Sequence, residues 1–189
     1  AVQSAGKIPI NVEQLGADLL AISGHKFYGP KGVGALYIRK GTRLKPVLFG
    51  GKDMRVHRPG TENVAGIVGL GKAAEIALNK LQAEGERLSA LRDRLEKGLL
   101  AAIPNARVNG AHAPRTPNTA NLSFSFIEGE SMVIALDLKG IACSTGAACS
   151  SGAVEPSHVL TAIGLPAADA RGSMRFSLGR LNTEDDVDF

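Results

Sequence analysis

The stretch Ser23-Gly24-His25-Lys26-Phe27-Tyr28-Gly29-Pro30-Lys31-Gly32 follows a short apolar run, Ala17 to Ser23, and opens into a Gly/Pro-rich turn, Gly29 to Gly34. An apolar run of this length cut off by glycine reads as a buried strand entering a tight loop, and Ala35 to Ile38 reads as a second strand pairing back after it. A lysine just past a buried strand, among glycines that admit a bulky ligand, can be desolvated enough to lose its proton and form a Schiff base. Ser23 and His25 beside it offer donors to a phosphate. The glycines do not follow Walker A spacing, which argues against a nucleotide loop. Taken alone, the same stretch reads first as a solvated lysine in an ordinary turn.

Downstream, a polar, Gly-rich loop spans Gly50 to Gly60. From Thr61 to about Leu81 the residues Val64, Ile67, Leu70, Ala74 and Leu78 recur at three and four, which predicts an amphipathic helix with Thr61 as its N-cap. Gly85 is expected to interrupt it. A second helix then carries Leu88, Leu91, Leu95, Leu99 and Ile103 on one stripe and ends before Pro104. The pair reads as a bent bridge between two domains, with a boundary near residue 83 and domains of 1–83 and 84–189.

Beyond the bridge the pattern predicts strands near Ala106 to Val108 and at Ala120 to Phe126, and a helix from about Glu130 to Leu138. A helix follows over Ser157 to Ile163, between Pro156 and Gly164. Met174 to Leu178 is a last strand. Strands and helices alternate, so the fold class is α/β or α+β. Both ends read as cut: Ala1 falls in what looks like the end of a strand, and Thr183 to Phe189 starts like a capped acidic helix and stops.

Cys143 and Cys149 lie in Ala142 to Ser151 (ACSTGAACSS), where every other residue is Ala, Ser, Thr or Gly. Such a segment cannot anchor itself in a core, so it reads as a mobile loop able to bring a thiolate to a substrate, the alternative being cysteine as a small buried filler. In the last strand, alternation sends Met174, Phe176 and Leu178 to one face and Arg175 and Ser177 to the other. Arg175 there suits either a substrate carboxylate or a surface ion pair. His57, His112 and His158 show no ligand spacing, so no metal site is expected; Arg55, His57 and Arg58 form a basic rim facing a partner or a phosphate.

With 189 residues and 44% apolar content the chain can bury a sizeable core. Twenty-two basic and eighteen acidic residues leave a net +4, and the charges are interspersed, without the basic stripe of a nucleic-acid binder. The sequence shows no membrane span and no signal-peptide pattern, and two cysteines six apart make neither a disulfide framework nor a zinc spacing. A cytoplasmic protein with reduced thiols is expected.

The segment Ala1 to Lys40 closely resembles the class V aminotransferase group, specifically the cysteine desulfurases of the nitrogen-fixation and iron–sulfur-assembly type, and the resemblance extends over essentially all 189 residues but only the second half of the family's length. It implies a fold-type-I pyridoxal-phosphate enzyme, with part of the large domain followed by the small C-terminal domain. Lys26 of the SGHK motif then carries pyridoxal 5'-phosphate, Ser23 and His25 match phosphate ligands, and Gln3 matches the glutamine that hydrogen-bonds the pyridine 3-oxygen. The aspartate that pairs with the pyridine nitrogen falls just before Ala1. Thr61 of the GTEN motif matches the threonine that reaches the phosphate of a neighbouring subunit's cofactor, which implies a homodimer. Glu155-Pro156-Ser157-His158 matches the helix start after the catalytic loop and places the persulfide on Cys149, with Cys143 structural. The RFSLGR context makes Arg175, rather than Arg180, the substrate-carboxylate arginine. The implied reaction converts L-cysteine to alanine and passes sulfur to an acceptor or scaffold protein, for iron–sulfur clusters or nucleic-acid thiolation. The rival readings are a selenocysteine lyase or another class V enzyme, and a truncated dimerising or partner-binding module.

Overall fold

The computed structural model describes residues 1–50, 57–145 and 156–189. It is a mixed α/β chain that falls into two compact units, Ala1–Gln82 and Ala83–Phe189.

In the first unit, β1 (Leu19–Ser23) and β2 (Gly34–Ile38) form an antiparallel pair in which Ser23 faces Gly34 and Ile22 faces Ala35. Between them lies a 3-10 turn, Gly24–Phe27. Residues preceding β1 form hydrogen-bonded turns rather than a strand end: Ala5 N donates to Ala1 O at 2.9 Å and Lys7 N to Ser4 O at 3.0 Å. The core of this unit is small, with Ala5, Phe27, Ala73 and Ala77 buried and Ile10, Ile22 and Leu70 packed around them.

Ala73 and Ala77 belong to α1 (Val64–Ala102), one continuous helix of 39 residues. Gly85 does not interrupt it. A helical glycine costs about 1 kcal/mol relative to alanine, whereas burying a leucine gains roughly 1.5–3 kcal/mol, and Leu88 and Leu91 are both buried just beyond. The Leu88, Leu91, Leu95, Leu99, Ile103 stripe faces its unit's core as read from the sequence. Of the upstream stripe only Leu70 packs on the core: Val64, Ile67 and Leu78 are exposed, and the small side chains of Ala73 and Ala77 take the inward face because they let the helix approach Phe27 and Ala5 closely.

The second unit is built on an antiparallel sheet of β3 (Ala106–Val108), β4 (Thr119–Phe124) and β5 (Ser173–Ser177), with β4 in the middle. Leu122 and Met174 face each other in register and are fully buried. Around them pack Leu95 and Leu99 of α1, Ile103 just beyond its end, and Met132, Val133 and Leu136 of α2 (Gly129–Asp137). The β4 strand ends at Phe124, two residues short of the sequence reading. Phe126 takes a left-handed backbone (φ 67°) and is exposed. Short helices α3 (His158–Ala162), α4 (Ala167–Arg171) and α5 (Glu184–Asp188) complete the unit. Thr183 caps α5 through a capping box with Asp186. Among the described residues no helix is long and apolar enough to cross a membrane.

Candidate active site

Lys26 sits on the 3-10 turn immediately after β1, half-buried. The turn is closed by Gly29 N donating to Gly24 O and by Gly24 N donating to Val33 O, each at 2.9 Å. A Cβ on Gly29 would lie 3.0 Å from Gly24 O and 3.1 Å from Ala73 Cβ, so the loop packs this tightly only with glycine there. Tyr28 closes the turn in the left-handed region (φ 68°, ψ 19°), a strained conformation for a bulky residue. Phe27, 4% exposed, anchors the turn in the alanine-lined core beside Lys26. Ser23 Oγ and His25 Nδ1 lie 3.0 Å apart, so hydroxyl and imidazole are already paired on the surface next to the lysine.

Gln3 lies on the first turn of the chain, with an exposed side chain. Ala1 N donates to Ala21 O of β1 at 2.9 Å, and Lys7 Nζ donates to Gln3 O at 3.1 Å and to Lys26 O at 3.3 Å. Burial, and then the charge of Lys26, hold the Lys7 ammonium below its ordinary pKa. The main chain of Gln3 is thus linked through Lys7 to that of Lys26, within the unit that also holds Ser23 and His25. Lys7 joins them, although its isolated position gave it no periodic or motif signal. A primary amine beside a hydroxyl and an imidazole suits a ligand that combines an aldehyde carbon with a phosphate.

Thr61 is exposed and is not the N-cap of α1. Asn63 takes that role, its Oδ1 accepting from Gly66 N at 3.0 Å, because the helix begins two residues later than the pattern suggested. Arg58 is exposed and donates to the carbonyls of Gly60 and Thr61 at 3.1 and 3.0 Å, bracing the chain around Thr61. Arg55 lies outside the described residues.

In the second unit, Arg175 stands on β5 opposite Asn121 of β4, on the face away from Met174. Its Nε is buried and meets no hydrogen-bond partner among the described residues. A buried donor left unmatched is costly, and a carboxylate is the group a guanidinium fork fits best. Cys143 is half-buried against this unit's core, and burial, then the charge of Asp137, push its thiol pKa up. A thiol held protonated is a poor nucleophile. Cys149 lies outside the described residues. Among those described, no three His, Cys, Asp or Glu residues cluster to hold a metal.

A family model described as aminotransferase class-V matches residues 1–189. The chain is 53% identical over 189 residues to the cysteine desulfurase IscS of Dictyoglomus turgidum, covering 100% of this chain and 48% of that one. The solved structure of a NifS-like protein from Rickettsia africae superposes with a TM-score of 0.88 at 34% identity, over 99% of this chain and 49% of that one. A structure of SspA in complex with cysteine superposes with a TM-score of 0.69 at 34% identity, over 94% of this chain and 48% of that one. The chain spans about half the length of the curated relatives it matches.

Proposed function

The chain belongs to the class-V aminotransferase family, and on that premise we propose that it carries the lysine and cysteine segments of a pyridoxal-phosphate-dependent cysteine desulfurase. The observation that carries the reading is Lys26, half-buried on a closed turn with Ser23 and His25 paired beside it. In this reading Lys26 holds pyridoxal 5'-phosphate, Ser23 and His25 bind its phosphate, and Gln3 bonds the ring 3-oxygen. Thr61 reaches the phosphate in a neighbouring subunit of a homodimer. Residues 1–83 belong to the cofactor-binding large domain and residues 84–189 to the small domain.

When bound, the cofactor would supply an electron-withdrawing ring that takes up the electron pair released at the substrate's α-carbon. Lys26 Nζ removes the α-proton of L-cysteine and returns a proton to the carbon skeleton. Arg175, whose buried Nε meets no hydrogen-bond partner among the described residues, holds the substrate carboxylate. The Cys149 thiolate forms a bond to the substrate sulfur as the carbon–sulfur bond breaks; the electron pair of that bond stays with the carbon skeleton, which leaves as alanine once protonated. The sulfur remains as a persulfide for transfer to an acceptor protein. The test is L-cysteine labelled with radioactive sulfur: label retained on the cofactor-loaded protein, released by a thiol and matched by alanine, is the expected result. Alanine formed with no protein-bound sulfur would point instead to a lyase.

A further inference from the structure

Lys7 belongs to none of the motifs read from the sequence, yet its side chain bonds the main chain of two turns that come together only in the fold. Its Nζ donates to Gln3 O at 3.1 Å and, across nineteen residues of sequence, to Lys26 O at 3.3 Å. The placement is built in. Ala5 is buried against Phe27, and Gly6 adopts φ 72° with no room for a side chain, since a Cβ there would lie 2.7 Å from Phe27 Cβ. Lys7 therefore leaves the backbone directly beside the 3-10 turn and is half-buried there.

Resting on the assignment of Lys26 and Gln3 to the cofactor, we propose that Lys7 is a positioning residue that locks the Gln3 turn to the Lys26 turn. Both side chains are then presented to the cofactor in one fixed arrangement. Burying an ammonium is unfavourable unless it is bonded, and here burial and the charge of Lys26 both weaken its hold on its own proton. Charge-assisted bonds to two carbonyls offset that cost, and they are the stronger class of hydrogen bond. A residue needed only to fill space there would be apolar; the ammonium is what ties the two turns together.

The test is the rate at which cofactor leaves the loaded protein on dilution, followed through the visible cofactor band. Lys7→Met, which keeps the stem and removes the donors, is expected to release cofactor about tenfold faster, and Lys7→Arg, which restores donors, to stay within about threefold of wild type. The cofactor-free proteins should melt within about 2 °C of each other, separating positioning from folding. Lys7→Gln, with N–H donors but no charge, should fall between and replaces Lys7→Met if that variant does not fold. Wild-type release rates in Lys7→Met, or Lys7→Arg releasing as fast as Lys7→Met, would overturn the proposal. Borohydride reduction and peptide mapping of the wild type, run in parallel, separate the two ways of failing. Label away from Lys26 overturns the assignment of the site, whereas label on Lys26 with unchanged release rates overturns only the role of Lys7.

Discussion

Ser144 and Arg175 exchange both of their main-chain hydrogen bonds, Ser144 N to Arg175 O at 3.2 Å and Arg175 N to Ser144 O at 2.7 Å. The strand residue whose buried Nε meets no partner among the described residues is therefore paired, through its main chain, with Ser144 of the cysteine segment. Five residues lead from Ser144 to Cys149, a length that spans at most about 18 Å. Cys149 itself lies outside the described residues.

Replacing Arg175 with alanine in the cofactor-loaded protein should raise the Michaelis constant for L-cysteine by roughly ten- to a hundredfold, the equivalent of about 1.5–3 kcal/mol for a charge-assisted pair. The cofactor spectrum should stay normal, because Arg175 is assigned to the substrate alone. A Michaelis constant equal to wild type would count against the role.

Cys149→Ser should bind cofactor and L-cysteine and yet retain no labelled sulfur, since a serine hydroxyl is scarcely ionised near neutral pH and cannot take sulfur as a persulfide. Cys143→Ser should keep sulfur transfer. Burial and Asp137 raise the Cys143 thiol, so its alkylation by iodoacetamide should set in at higher pH than that of a free cysteine. Label persisting in Cys149→Ser and vanishing in Cys143→Ser would move the active site to the other cysteine.

Lys26→Ala should lower turnover of L-cysteine by roughly 10²–10⁴-fold, the usual contribution of a positioned acid–base group, and should abolish borohydride incorporation of the cofactor. Covalent label recovered on Lys31 would mean that the wrong lysine had been assigned.

A structural prediction concerns Glu96, 7% exposed, whose carboxylate receives Arg115 Nη1 at 2.6 Å and Nη2 at 3.1 Å. Arg115→Ala leaves that carboxylate buried and unmatched and should destabilise the second unit by about 3 kcal/mol in urea titration. A double change to Glu96→Leu with Arg115→Met should recover most of the loss. A single variant within about 0.5 kcal/mol of wild type would show that the pair does not hold the fold.

Strand order is legible in the sequence because alternation and turn residues are local signals, and β1, β2, β3 and β5 fall within two residues of the segments the pattern predicts, whereas the short α4 carries no pattern that marks it. What misled was size. Val64, Ile67 and Leu78 dominate any apolar count, but the inward face of α1 there belongs to Ala73 and Ala77, chosen by the close approach of Phe27, a contact nearly fifty residues away in sequence. Gly85 misled for the opposite reason, since a modest local penalty is outweighed by burial one turn on. Thr61 and Asn63 are both good caps, and only the helix register decides between them. At the candidate site, Lys26, Ser23 and His25 were visible because they are neighbours in sequence. Lys7 was not, because its partner at Lys26 is brought to it only by the packing of Ala5 and Gly6 on Phe27.

The register that places Leu122 against Met174 also sets a timetable for synthesis. About fifty residues separate the end of β4 from the start of β5, so at ribosomal speeds β4 emerges roughly 2 to 10 s before its longer partner exists. Over that interval β4 has only the three residues of β3 to pair with. Closing the sheet across so long a connection is also slow in itself. A nascent chain halted before residue 173 would hold Leu122 and Phe124 without the strand that covers their edge, which makes this the stage at which the second unit is most exposed to aggregation.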